Sequence, residues 1–158
     1  MRGALKDLKK KGLNIKLLIL GNPDPHNLAS IKDREIIKWQ SKGLIIWKKK
    51  VTNVLPYLQK SRISILPSYR EGLPKSLLEA ASCGLPIIAT DVPGCRECII
   101  HNENGFIVEP QNAESLVEAI NKFIQNPNMI KKMGLKSYQI VEEKFSNGKI
   151  FQQYLELL

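Results

Sequence analysis

The run Pro67-Ser68-Tyr69-Arg70-Glu71-Gly72-Leu73-Pro74-Lys75-Ser76-Leu77-Leu78-Glu79 holds the residues best suited to chemistry. Ile63 to Leu66 before it reads as a short buried strand and Pro67 to Gly72 as a turn. A helix is expected to start near Pro74, since a proline at the first helical position lacks only an N–H that would be unpaired there. Glu71 then lies in a strand-to-helix loop and Glu79 about a turn into the helix. The N–H groups of the helix start open into the same crevice, where the helix dipole favours an anion. Carboxylates accept hydrogen bonds from sugar hydroxyls, and N–H groups hold phosphate oxygens, so the combination suits a sugar nucleotide. Simpler readings stand beside it. Glu79 reads equally as a solvated helix carboxylate, Glu71 as a weak surface partner of Arg70, and Lys75 as a helical partner of Glu79 four residues on or a phosphate ligand.

The sulfur residues point elsewhere. Cys83, Cys95 and Cys98 are an odd number with no export signal before them, which predicts free thiols in a reducing compartment. Cys95 and Cys98 have zinc-like spacing, and with His101 and Cys83 a mononuclear site can be drawn. Zinc ribbons and fingers normally bring two paired knuckles, and one pair is present, so no metal is expected. His26 and His101 read as surface residues.

These residues need a frame, and strands alternating with helices supply it. Ala4 to Lys11 reads as a basic helix ended by Gly12, Ile15 to Leu20 as a buried strand closed by Gly21, and Ala29 to Ser41 as a helix with Ile31, Ile36, Ile37 and Trp39 on its apolar face. Leu44 to Trp47 is a strand, Thr52 to Gln59 a short helix, and the helix from Pro74 ends at Cys83-Gly84 with Gly84 just past its end. Pro86 to Ala89 and Gly105 to Val108 are further strands, with Asp91 to Gly94 a turn between them. Asn112 caps a helix striped by Leu116, Val117, Ile120, Phe123 and Ile124. Helices over about 127 to 143 and 146 to 158 finish the chain. The expected fold is α/β, a Rossmann-like parallel sheet of about five strands with helices on both faces, binding ligands at the strands' carboxyl ends.

The 158 residues suit one domain. Apolar runs fall far short of the roughly 20 residues that cross a bilayer, and no signal peptide opens the chain, so a cytoplasmic protein is expected. Net charge is +9, unevenly placed: residues 1–62 hold 15 Lys/Arg against 4 Asp/Glu, a net +11, and residues 63–158 hold 9 against 11, a net −2. A basic face for phosphates or an anionic membrane is one reading. The other is a solvated surface in a sequence biased toward Lys, Ile and Asn, whose codons are rich in A and T.

Glu71 and Glu79 have the E-x7-E spacing of the GT-B retaining glycosyltransferases. The stretch Leu66 to Pro86, followed by Ala89-Thr-Asp-Val-Pro-Gly-Cys-Arg-Glu97, resembles glycosyltransferase family 4 enzymes of bacterial capsule, exopolysaccharide and lipopolysaccharide synthesis. Asn104-Gly-Phe-Ile-Val108 and Met133-Gly134 fit the same resemblance, which covers essentially the whole chain as the C-terminal, donor-binding half, residues 1–158.

The resemblance implies a sugar transferred with retention from a nucleotide-sugar, UDP-linked by expectation, to a lipid-linked or polysaccharide acceptor in envelope glycan synthesis. Glu71 would contact donor-sugar hydroxyls as the catalytic residue, and Glu79 would accept bonds from the ribose. The amides of Gly72 and Leu73, with the helix start at Pro74 and Lys75, would lie along sugar and diphosphate. The loop after Ile46, with Trp47 and Lys48, would meet the nucleobase, although Trp47 reads equally as a core aromatic. No metal or cofactor and no nucleic-acid partner is implied.

In the family an acceptor domain and an Arg/Lys-bearing glycine loop gripping the diphosphate precede this half. The chain is therefore expected to be N-terminally truncated, with Met1 inside the donor half's first helix and a separately encoded acceptor domain as a candidate partner, and contact with the inner membrane face is a further expectation. Two other readings remain: a non-catalytic nucleotide-sugar binding fragment, or a sugar-nucleotide epimerase on the same fold.

Overall fold

The computed structural model describes residues 15–23 and 30–146, together with Gly3, Asp7 and Gly148. The expected helix over 4–11, apart from a helical Asp7, then His26, and the expected terminal helix beyond Ser146, apart from a helical Gly148, lie outside the described residues. The chain divides into two compact units, Met1–Val54 and Leu55–Leu158.

In the first unit, β1 (Leu17–Leu20) and β2 (Ile45–Lys48) run parallel, with Leu17 beside Ile45 and Leu20 beside Lys48. Between them in sequence lies α1 (Asp33–Ser41), which starts four residues later than the sequence suggested. Ile36 and Trp39, three apart and so on one face, bury with Ile45 into a small core. Ile37, one step round the helix from Ile36, falls off that face and is exposed, contrary to expectation. Asp33 and Glu35 sit in the first turn, where the helix dipole favours them.

The second unit contains α2 (Leu55–Leu58), β3 (Ser64–Leu66), α3 (Lys75–Ser82), β4 (Ile87–Thr90), α4 (Pro93–Cys98), β5 (Gly105–Val108), α5 (Ala113–Gln125) and α6 (Asn128–Phe145). Its strands form a parallel sheet in the order β3-β4-β5, with Leu66 beside Ala89 and Thr90 beside Val108. The five expected strands are thus all present, parallel within their ladders. Period-two alternation divides β4 between two faces. Ile87 and Ala89 join Leu77 and Ala81 of α3 with Val92, Cys95 and Cys98 in one core. On the neighbouring strand Phe106 meets Phe123 of α5 edge to face, ring centroids 5.0 Å apart, so helices cover both faces.

Helix ends follow their local chemistry. The Asn112 carboxamide oxygen accepts from the N–H groups of Glu114 and Ser115, both at 3.0 Å, the N-cap the sequence predicts. Ile124, at the edge of the α5 stripe, remains 38% exposed. At the end of α3, Gly84 adopts φ 71°. Its N–H donates to Ala81 and that of Leu85 to Ala80, so the last carbonyls close in a Schellman motif.

Asn104 is a buried polar node. Its side chain accepts from the Ile100 N–H at 2.7 Å and donates to the Cys98 carbonyl at 3.0 Å. Its own carbonyl receives the Ser137 hydroxyl at 3.2 Å and the Ile87 N–H at 3.1 Å. The side chain ties the segment after α4 to β5, and the main chain ties both to α6 and β4. Asn104→Ala strands two backbone groups and is expected to cost about 1–3 kcal/mol. Urea unfolding checks this through a lower midpoint at unchanged slope.

Candidate functional site

Because β3, β4 and β5 are parallel, the loops after Leu66, Thr90 and Val108 leave from one edge of the sheet, the edge at which such folds bind ligands. Pro67 to Pro74 forms the first of these. Within it Glu71 is partly buried, Gly72 and Leu73 are exposed, and Pro74 is buried.

Pro74 stands one position earlier than expected. It is the N-cap of α3, with ψ 103°, and not its first helical residue. Its carbonyl accepts the Leu77 N–H at 2.9 Å, and no side chain caps the helix. The first N–H groups of α3 are thus left without a side-chain partner at the crevice end. Leu77, Ala80 and Ala81 bury the inner face of α3, which leaves Lys75 and Glu79 exposed on the outer side. Among the described residues Glu71, Lys75 and Glu79 take part in no ion pair, so neither the Lys75–Glu79 nor the Arg70–Glu71 pairing forms.

The loop is held from behind by β4 and α4. Thr90, at the end of β4, donates its hydroxyl to the Ser68 carbonyl, and the Ser68 hydroxyl donates to the Arg70 carbonyl at 3.2 Å. Gly94 lies against the peptide that follows Glu71: a Cβ there would stand 1.2 Å from the Gly72 carbonyl oxygen and 2.7 Å from that of Glu71. The sequence suggested a turn over 91–94. The chain instead turns tightly at Asp91, where the Val92 N–H donates to the Thr90 carbonyl at 2.8 Å, and enters α4 with Pro93 in its first turn. A six-residue helix is too short to carry a periodic signal. Gly94 is the positioning residue that sequence reasoning missed, the cue being a glycine inside a segment that continues as helix.

Charge near the loop is modest. Arg96 donates to Asp91 at 2.6 Å on the surface, and that hydrogen bond holds the Asp91 carboxyl below its usual range. Burial pushes the Cys95 thiol up to about 11, with the Glu71 carboxylate acting in the same direction. Cys98 rises to about 11, again chiefly by burial. Cys83 rises through burial and then through Glu79. Cys95 and Cys98 pack in the core, and among the described residues no three His, Cys, Asp or Glu come together around a common metal position.

Trp47 and Lys48 belong to the first unit. The strand read over Leu44 to Trp47 holds for Trp47 and extends by one residue to Lys48, so both residues, which the family resemblance put in a loop after Ile46, lie in β2, paired with Ile19 and Leu20. The Trp47 N–H donates to the Gln40 side chain at 2.7 Å, its indole N–H donates to the Gly21 carbonyl at 2.9 Å, and the Lys49 ammonium lies 4.3 Å from the ring centroid. The Lys48 carbonyl receives the Gly21 N–H at 3.0 Å, while its side chain is exposed. The loop proper begins beyond Lys48 and turns at Lys50, whose φ of 46° is uncommon for a lysine.

A strand-loop-helix unit with a backed loop carboxylate, an uncapped helix start and a second carboxylate on the helix is a frame for a polyhydroxylated anion. The family model described as Glycosyl transferases group 1 matches residues 3–140. The chain belongs to the glycosyl transferases group 1 family. Among curated relatives of this group 1 chain is the capsular polysaccharide biosynthesis glycosyltransferase CapM of Staphylococcus aureus. It is 27% identical over 150 residues, which are 95% of this chain and 39% of CapM. Another is the N,N'-diacetylbacillosaminyl-diphospho-undecaprenol alpha-1,3-N-acetylgalactosaminyltransferase of Campylobacter jejuni, 29% identical over 121 residues, 77% of this chain and 32% of that protein. The crystal structure of Anabaena HepE in complex with UDP superposes with a TM-score of 0.84 at 19% identity, covering 99% of this chain and 44% of HepE, a likeness of fold. The chain thus spans less than half of the length of each of these proteins.

Two outcomes follow for the group 1 site. Gly94→Ala forces two backbones apart and is expected to lower stability by about 1–3 kcal/mol, whereas Gly72→Ala, with nothing within 4 Å of its Cβ, is close to neutral. Equal urea midpoints for the two variants would contradict the contact. The thiols of Cys95 and Cys98 keep their protons in the folded chain up to about 11, while unfolded thiols ionise near 8.5. Between these values the unfolded chain binds fewer protons, so stability falls as pH rises from about 8.5 through 11. Urea midpoints at about pH 8 and pH 10 measure the loss, which shrinks in a Cys95→Ala variant.

Proposed function

We propose that this chain is the donor-binding half of a retaining glycosyltransferase that moves a sugar from a UDP-sugar to a lipid-linked or polysaccharide acceptor in cell-envelope glycan synthesis. The observation that carries the reading is the placement of the E-x7-E pair: Glu71 on a loop backed by Gly94, Glu79 on the helix whose uncapped start closes that loop. Family membership, a capsule-building relative, a relative named for an undecaprenol-linked acceptor and a fold-mate holding UDP support it.

In this reading Glu71 accepts hydrogen bonds from donor-sugar hydroxyls and Glu79 from the ribose. The amides of Gly72 and Leu73 and the helix start at Pro74 and Lys75 lie along the diphosphate. The nucleobase lies by the chain around Trp47 and Lys48. Phosphate charge is met by N–H groups and side chains, and the nucleotide-sugar enters as substrate. The departing diphosphate takes the acceptor proton while the new bond forms on the face the old one left, which retains configuration. Positioning and stabilisation of the leaving group are then most of the catalysis. Transfer itself is assigned to the whole protein, together with an acceptor domain, and the reaction to the cytoplasmic side of the inner membrane. There the basic residues of the first 62 favour an anionic surface. Among the described residues no helix is long and apolar enough to cross a membrane.

Titration calorimetry of the 158-residue chain with UDP, UDP-glucose, UDP-galactose and UDP-N-acetylglucosamine tests the proposal. Weak binding is expected without sugar transfer by this chain alone. Glu79→Ala should weaken UDP about tenfold, the loss of one charge-assisted hydrogen bond. Glu71→Gln should weaken a UDP-sugar while leaving UDP unchanged. Absence of binding by all four compounds, or an unchanged UDP affinity in Glu79→Ala, would overturn it.

A further inference from the structure

We infer that Thr90 is a positioning residue for Glu71: its hydroxyl, with the backbone contact at Gly94, sets the place of the loop carboxylate from the neighbouring strand. The inference rests on the sugar-contacting role proposed for Glu71 and names a residue outside the E-x7-E motif on which that role depends.

Thr90 ends β4 and is 4% exposed, one of few buried polar side chains among the described residues. Its hydroxyl is spent on the Ser68 carbonyl, across 22 residues of sequence and from a different strand. Ser68 passes the constraint on, because its own hydroxyl donates to the Arg70 carbonyl, one residue before Glu71. On the far side of Glu71 the Gly72 carbonyl rests against Gly94. The loop carboxylate is therefore bracketed, by a hydrogen-bond chain before it and a backbone contact after it. Both start from the same short stretch, in which the Asp91 N–H donates to the Val108 carbonyl at 2.8 Å and the Val92 N–H returns to Thr90. Thr90, Val92 and Gly94 of that stretch are buried, so it is the rigid side, and the exposed loop takes its position from it. Glu79 does not rely on the Thr90 hydroxyl, since α3 is seated by the apolar packing of Leu77, Ala80 and Ala81. Loss of the Thr90 hydroxyl should therefore act on the sugar end of a donor and spare the nucleoside end.

The test compares Thr90→Val, nearly isosteric and lacking the hydroxyl, with Thr90→Ser, which restores it. Amide hydrogen exchange on the 158-residue chain is expected to speed up about tenfold over Tyr69 to Leu73 in Thr90→Val, with α6 unchanged and Thr90→Ser close to wild type. Calorimetry should show the UDP-sugar that wild type binds weakened several-fold by Thr90→Val at unchanged UDP affinity, and no further loss when Thr90→Val is added to Glu71→Gln. Unchanged loop exchange, or exchange raised equally in the loop and in α6, overturns the inference. So does equal weakening of UDP and UDP-sugar. If wild type binds no nucleotide while the loop exchange responds as expected, the functional reading fails and the positioning of Glu71 stands.

Discussion

At Gly94 two backbones touch with no side chain between them. A methyl group there would stand 1.2 Å from the Gly72 carbonyl oxygen, so this position admits hydrogen and nothing larger. The contact fixes the loop after β3 to the corner between β4 and α4, and the loop is the part of the site that no helix or strand would otherwise hold. Exposed loops of this length are commonly mobile. Here the loop leans on buried structure at both ends, through Thr90 and Gly94, and its carboxylate acquires a defined place without an ion pair of its own. The same economy recurs behind α3: a Cβ at Gly134 of α6 would stand 2.0 Å from the Gly84 carbonyl, so α6 lies directly on the turn that ends α3.

What the sequence disclosed follows from how local each cause was. Strands β3, β4 and β5 were legible because short aliphatic runs bounded by Pro and Gly have few other uses, and Asn112 was legible because a cap acts within three residues. The end of α3 at Gly84 was equally local. α4 was not, since six residues carry no period and its glycine looked like a turn. Asn104 was visible only as part of a family string. Its hydrogen bonds reach Ile100, Cys98, Ser137 and Ile87, and no spacing rule joins such positions. Ile37 and Ile124 show the opposite error, apolar residues credited to a face they miss by one step of the helix. Trp47 was legible as the last residue of the strand read over Leu44 to Trp47, but no spacing showed that its N–H groups are spent on Gln40 and Gly21.

The uneven charge also reads differently with the elements in place. Part of the basic excess is engaged within the first unit: Lys49 pairs with Asp33 at 2.6 Å and covers the Trp47 ring. The second unit carries the two carboxylates and a sheet edge lined by main-chain groups. A site of that composition meets an anion through directed N–H groups, and a general positive field adds encounter rate more than specificity.

The E-x7-E spacing itself is not a helical period. Two residues eight apart on one continuous helix would be about 12 Å apart along its axis and about 80° apart around it. Here the first carboxylate precedes the helix by a three-residue loop segment, Gly72 to Pro74, so the separation of the pair is set by the loop's path. The motif is therefore a statement about two anchors and not about one element. Glu79 inherits its place from the buried face of α3, and Glu71 from Thr90 and Gly94. A substitution that spares both glutamates but loosens either anchor changes the distance between them, and with it the length of ligand the pair can span.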